Sequence, residues 1–190
     1  MFSEKTLKFL LENRLANSRE WFHEHKNEYT QFVLNPLTEL ASGLAAAISE
    51  IDNLIITEPK VDKTISRIYC DMRFSKDKML FREQMWLSFR RDKIAYPGYP
   101  EFFFVLSPAD FFYGCGYYSA SAQTMESMRA LILANDPLFI KALNAFENQR
   151  VFRMEGDMYK KPRYPGQSEK QRNWLERKSI CFINRPKDIS

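Results

Sequence analysis

The apolar period of this chain changes near residue 54, and that change limits the fold more than any other feature. Before it, Leu37, Leu40, Leu44, Ile48 and Ile51 recur at three- and four-residue steps, the spacing of an amphipathic helix. After it, in Ile65 to Phe74, the apolar Ile68, Cys70, Met72 and Phe74 alternate with Arg67, Tyr69, Asp71 and Arg73. That spacing predicts a strand with one face in the core. Helical spacing returns at Ser121. Helices, then a run of adjacent strands, then helices imply an α+β fold: a largely antiparallel sheet packed against N-terminal and C-terminal helices.

Local signals fill in the elements. Ser3 is placed to cap a first helix carrying Leu7, Leu10 and Leu11. Asn17 and Glu20 have capping-box spacing ahead of Trp21 and Phe22. Asn35-Pro36 reads as the cap and first position of a third helix. Strands are expected at Leu54–Thr57, Met85–Arg90, Glu101–Ser107 and Phe111–Tyr118. Phe102 to Leu106 has no polar face, which fits a central strand covered on both sides. Helices are expected from Ser121 to Ala134 and after Asp136-Pro137. A strand near Val151–Glu155, a short helix around Ser168–Glu176 and the apolar run Ile180 to Ile183 complete the pattern. At 190 residues, with no repeat and no linker, residues 1–190 are expected to form a single domain.

Several classes are excluded by what the chain lacks. Charged residues interrupt every apolar run near the N-terminus, so no secretory signal is read. No stretch approaches the roughly 18 apolar residues of a membrane helix. Cys70, Cys115 and Cys181 are odd in number and widely spaced, which is neither a disulfide framework nor a zinc pattern. A cytoplasmic protein is expected. His23 and His25 are two apart and cannot form the i, i+4 pair of a helical zinc site. With no phosphate loop, dinucleotide fingerprint or Gly-x-Ser-x-Gly motif, no cofactor and no metal are expected. The oligomeric state stays open.

The net charge is only +4, but it is unevenly spread. Residues 60–93 carry 10 basic and 5 acidic side chains, and residues 150–178 carry 9 and 4. If both segments face one cleft, they attract anions; if not, they are two solvated faces. In the first segment Arg67, Asp71 and Arg73 share strand parity, at roughly 6.5–7 Å per same-face step. Asp71 would orient the arginines, and Lys76, Asp77 and Lys78 follow in a turn. An arginine held by a carboxylate offers a planar fork to phosphate or carboxylate. The competing reading is a salt-bridged sheet face with a charged hairpin. In the second segment Lys161 and Arg163 lie on a proline-stiffened loop able to close over an anion, with Arg129 as a further partner. The competing reading there is a solvated loop. Gly114 and Gly116 share one strand face, which lets a helix or a ligand approach the backbone closely. Cys115 has no His near it in sequence, so a thiol nucleophile has little support.

Three segments also carry a likeness: Asn17 to Phe22, Arg67 to Lys78, and Gly114 to Tyr117 followed by the helix with Arg129. Together they resemble a family of uncharacterised bacterial and fungal proteins, a conserved domain of unknown function. The likeness runs from the N-terminus to about Lys178, and its Arg-Phe-Ser-Lys-Asp-Lys run is the specific part. It implies one cytosolic domain and no established activity, cofactor or catalytic residue. Met79 to Arg82 stands where members often have Pro and Tyr. The end at Ser190 is earlier than the family leads one to expect, which implies that a C-terminal helix is missing.

The functional expectation is binding of a small phosphate- or carboxylate-bearing ligand in a basic cleft. An alternative is a hydrolase-type enzyme using Asp71 or Asp77 on a phosphorylated or acidic substrate. Others are a nucleic-acid-associated module, and an interaction protein using the aromatic stretch Tyr113 to Tyr118.

Overall fold

Helix α1 (Glu4–Ala16) starts at Ser3, whose N–H donates to Thr6 Oγ1 at 3.1 Å. It ends at Asn17, which takes the left-handed conformation at φ 45°. Asn17 is therefore a C-cap, a position it tolerates better than most residues, and its Oδ1 accepts the Leu80 N–H at 2.7 Å. The cap of α2 (Arg19–Glu24) is the next residue, Ser18, whose Oγ accepts the Trp21 N–H. This corrects the expected Asn17 cap by one position. The structure is a computed structural model, and it describes residues 1–71 and 78–186.

Asn35-Pro36 does not open a helix. Both residues lie inside α3, which runs unbroken over Lys26–Ile51. Thr30–Leu34 is π-helical, with the Asn35 N–H donating to the Thr30 carbonyl. That wider turn is how a proline is seated in a helix interior. Pro36 offers no N–H to the carbonyl four residues back. The buried Thr6 hydroxyl serves that carbonyl instead, donating to Phe32 O at 2.7 Å. Val33, Leu37, Ala41 and Ile48 face the core, while Leu44 and Ile51 point to solvent. By length and composition alone α3 could cross a membrane. This departs from the expectation that no segment would qualify, because its Leu, Ile, Val and Ala residues outweigh the polar ones between them. Its Val33 and Leu37 are fully buried in the protein core.

The sheet has five strands: β1 (Met85–Phe89), β2 (Glu101–Leu106), β3 (Phe111–Tyr117), β4 (Arg153–Glu155) and β5 (Ile180–Asn184), in the order β1-β2-β3-β5-β4. β1 and β2 are antiparallel with Leu87 opposite Phe104, and β4 and β5 are antiparallel with Met154 opposite Phe182. β2 is thus an interior strand, as its all-apolar run implies. Helices α4 (Ala122–Leu133), α5 (Pro137–Glu147) and α6 (Glu169–Leu175) are capped by the side chains of Ser121, Asp136 and Ser168. The fold class is α+β.

Two expected strands are not formed as strands. Leu54–Thr57 contributes a single bridge, Ile56 to Arg90. The described part of Ile65–Phe74 contributes three, Ile65 to Val61, Ile65 to Leu87 and Tyr69 to Phe81. The reason lies at Ser66. Its N–H donates to the Trp86 carbonyl, but the returning Trp86 N–H is accepted by the Ser66 hydroxyl at 2.9 Å, not by a backbone oxygen. Ile65, Ser66 and Ile68 are then all buried, which breaks the two-residue period.

The residues group into two compact units. The first holds Met1–Asp92, Phe102–Tyr113 and the residues from Arg185, and the second holds Lys93–Glu101 and Gly114–Asn184. The first has its own core around Phe9, Leu10, Leu37, Phe81, Met85 and Leu87. The second has another, around Met125, Ile132, Phe139, Trp174, Leu175 and Ile180. A fully buried Leu or Phe contributes about 1.5–3 kcal/mol, so these clusters carry most of each unit's stability.

Inside the second unit, Gly114 and Gly116 meet neither a helix nor a ligand but the backbone of β5. A Cβ on Gly114 would sit 2.0 Å from the Phe182 carbonyl oxygen. Gly116 is also at φ 134°, where L side chains are strained, and a Cβ there would lie 2.4 Å from Ile180 O. Gly114→Ala is expected to lower stability by about 1–3 kcal/mol, read as the shift in urea midpoint. Gly43→Ala, in open space on α3, is expected to raise it by about 0.5–1 kcal/mol.

Candidate functional site

The odd residues of β1, Met85, Leu87 and Phe89, are buried at 0–2% exposure. Phe81 upstream is fully buried as well. The even residues therefore face the other way. Arg82, Trp86, Ser88 and Arg90 line one wall of a cavity of about 640 Å³. The segment from Asp62 to Asp71 supplies the opposite wall. It is held antiparallel to β1 by Ser88 N–H to Thr64 O, Cys70 N–H to Leu80 O and Arg82 N–H to Ile68 O, each 2.8 Å. Four cationic side chains line the space, Lys63, Arg67, Arg82 and Arg90, against two carboxylates, Asp62 and Asp71.

The cations are held differently. Arg67 pairs with Asp62, which sits in a tight left-handed turn at φ 71°. Asp62 is thus a carboxylate on Arg67; Asp71 is exposed at the cavity wall. Arg82 lies with its guanidinium carbon 4.7 Å from the Trp86 ring centroid, and its Nε donates to the Tyr69 carbonyl at 3.1 Å. Those two contacts fix the plane of the guanidinium. Its two terminal nitrogens have no hydrogen-bond partner among the described residues. The result is a pre-oriented two-nitrogen fork at a cationic cavity wall, the geometry that takes a carboxylate or phosphate in a bidentate manner.

Of the residues expected in the site, Arg67 and Asp71 meet in this cavity. Lys78 is exposed and is not among its lining residues. Arg73, Lys76 and Asp77 lie outside the described residues. Lys63, Arg82, Trp86 and Arg90 were missed. Alternation from Phe81 to Arg90 was the available signal, since it sets Arg82, Trp86 and Arg90 on one face.

Arg129, Lys161 and Arg163 belong to the second unit. Arg129, expected at the ligand, has another use. It is 2% exposed, and its Nε donates to Leu175 O, its Nη1 to Glu126 Oε1, and its Nη2 to Arg177 O and the Tyr159 hydroxyl. It thereby satisfies carbonyls at the C-terminus of α6, which have no intrahelical donor. Arg163 lies 3.6 Å over the Tyr159 ring. The backbone of the basic loop is pinned by Glu176, buried at 4% exposure, whose carboxylate accepts the Arg163 and Tyr164 N–H groups at 2.9 Å. Lys161 is exposed.

Burial pushes the Glu176 carboxyl up. The Tyr164 and Arg163 N–H groups, aided by the Arg172 and Arg163 charges, more than offset this and hold it below the usual carboxylate range. A carboxyl lowered in the fold stabilises it at pH values above the ordinary glutamate range, and that support is lost as pH falls through the lowered value. Protection of the Arg163 and Tyr164 amides, taken relative to the intrinsic exchange rate at each pH, is therefore expected to be high at neutral pH and to fall below pH ~4. Glu176→Gln is expected to lower it at both.

Burial also raises the Cys115 thiol, and it pushes Cys181 up to about 12, with Glu101, Cys115 and Glu155 adding to it. These are unreactive thiols. Tyr118 is exposed, while Tyr113 and Tyr117 are half-buried. Among the described residues no three His, Cys, Asp or Glu side chains come together as a metal site.

No curated protein and no solved structure matches the chain. A family model matches residues 5–189, so the chain belongs to the family described as conserved hypothetical protein (DUF2461).

Proposed function

We propose that the first unit binds a small phosphate- or carboxylate-bearing molecule in the cavity between Asp62–Asp71 and β1. The observation that carries this reading is Arg82. Its ring stacking and its Nε bond hold the guanidinium in one plane, and its two outer nitrogens have no protein acceptor among the described residues. A fixed arginine fork loses little freedom when it binds. Lys63, Arg67 and Arg90 add positive charge to the same walls. Asp62 draws on Arg67.

Thermal unfolding in rising inorganic phosphate tests it. The wild-type Tm is expected to climb with phosphate beyond the climb in chloride of equal ionic strength. Arg82→Lys keeps the charge but loses the fork. A hydrogen bond to a charged group contributes about 1.5–3 kcal/mol, so this variant is expected to weaken the phosphate response at least tenfold. Lys63→Ala, at an exposed residue, is expected to weaken it a few-fold. Equal Tm responses in phosphate and chloride, or unchanged responses in both variants, would exclude the cavity as an anion site.

A further inference from the structure

A second cavity, of about 760 Å³, adjoins the first. The two share Asp62, Arg67 and Tyr69 as lining residues. Its chemistry differs. The walls are aromatic and aliphatic, with Phe22, Tyr29 and Ile68 in the core behind it. Phe22 and Tyr69 meet edge to face, with ring centroids 5.5 Å apart, and Tyr29 lies 5.4 Å from Phe22. The rim carries cations. Arg19 and Lys26 stand with His23 at four- and three-residue steps along one side, and Arg67 stands on another.

The rim also carries two acids: Glu20, near Arg19, accepts from the Ser18 hydroxyl at 2.7 Å, and Asp62 is engaged by Arg67. Arg19 and Lys26 form no salt bridge among the described residues.

One polar group in the wall stands out. Tyr29 is more than nine-tenths buried, at 8% exposure. Its hydroxyl has no hydrogen bond among the described residues. Tyr29 lines the cavity, so its hydroxyl is a donor for an acceptor atom that enters there. Burial, with a smaller effect of Tyr69, pushes this group up to about 12, so it remains a donor at every ordinary pH. A bare phosphate ion gains nothing from the aromatic walls. A neutral hydrocarbon gains nothing from the three cationic groups at the rim, Arg19, Lys26 and Arg67. A molecule joining a planar ring to an acidic group uses both.

We propose that this second cavity binds a ring-bearing anion. Its aromatic ring lies against Phe22 and Tyr69, one of its acceptor atoms takes the Tyr29 hydroxyl, and its acidic group lies among Arg19, Lys26 and Arg67. The site does not rest on the Arg82 fork, so either cavity can fail without the other.

The test is calorimetric titration with 4-hydroxybenzoate, adenosine monophosphate, benzyl alcohol and acetate. The first two share the required chemistry, and whichever binds more tightly identifies the source as a small aromatic acid or a nucleotide. Benzyl alcohol has the ring without the charge, and acetate the charge without the ring. Both are expected to bind at least tenfold more weakly. Tyr29→Phe removes only the hydroxyl and is expected to weaken the ring-bearing anion about three- to tenfold with an unchanged Tm of the free protein. Lys26→Ala is expected to weaken it by a similar factor. Arg82→Lys is expected to leave it unchanged while weakening inorganic phosphate.

Three results would overturn the proposal. One is acetate or benzyl alcohol binding as tightly as the ring-bearing anions. Another is unaltered affinity in both Tyr29→Phe and Lys26→Ala. The third is a loss confined to Arg82→Lys, which would assign the binding to the first cavity. A Tm drop in Tyr29→Phe without ligand would show that the hydroxyl has a structural partner, and would also count against it.

Discussion

The first unit's cavities depend on one substituted hydrogen bond. Where a regular ladder would return the Trp86 N–H to a backbone carbonyl, the Ser66 hydroxyl takes it. The neighbouring segment still runs antiparallel to β1, but its side chains lose their alternation. Ile65 and Ser66 are buried consecutively, and Arg67 projects on the exposed side between two bridged stretches. A regular strand would have placed Arg67 and Tyr69 in a flat row. The bend instead puts both where two cavities adjoin. Ser66 is itself 7% exposed and also approaches the Met85 sulfur at 3.7 Å, so this arrangement is set within the core.

This explains which parts of the structure were legible in the sequence. Elements governed by their own periodicity were read to within a residue or two: α1, α4, α5, β1, β2 and β3. A long run of apolar residues at one spacing overrides local detail. What failed was decided by single polar contacts between distant residues. The Asn17 carboxamide bonds Leu80, sixty-three positions away, and so ends one helix while Ser18 starts the next. Pro36 looked like a helix start because proline is most often found there. It is interior because a π turn widens the helix and Thr6 serves the carbonyl that Pro36 cannot. Spacing within a segment carries no trace of a partner twenty-six residues earlier.

The charged residues show the same division. Basic composition marked the right neighbourhoods but not the right side chains. Arginine serves two opposite ends in this fold. Some arginines are staples: Arg14 donates to Phe81 O at 2.7 Å, Arg129 saturates the end of α6, and Arg177 donates to Gly156 O and Asn173. A staple is worth most when every nitrogen is satisfied by the protein, since a buried unpaired guanidinium is costly. Arg82 is built on the contrary plan. One nitrogen and one ring face are used to hold it still, and the outer pair stays open.

That contrast supplies a criterion more discriminating than charge density. Two basic segments of nearly equal net charge look alike in the sequence. In the second, the loop's backbone is tied to a buried carboxylate, and Arg129, the further partner expected there, is satisfied by the protein. In the first, Arg82 is immobilised while its outer nitrogens have no partner among the described residues, beside a second cavity with aromatic walls. Immobilising a polar group costs conformational entropy whether or not it later binds. At Arg82 that cost is borne with the outer nitrogens unpartnered among the described residues, which is what the proposed anion site requires.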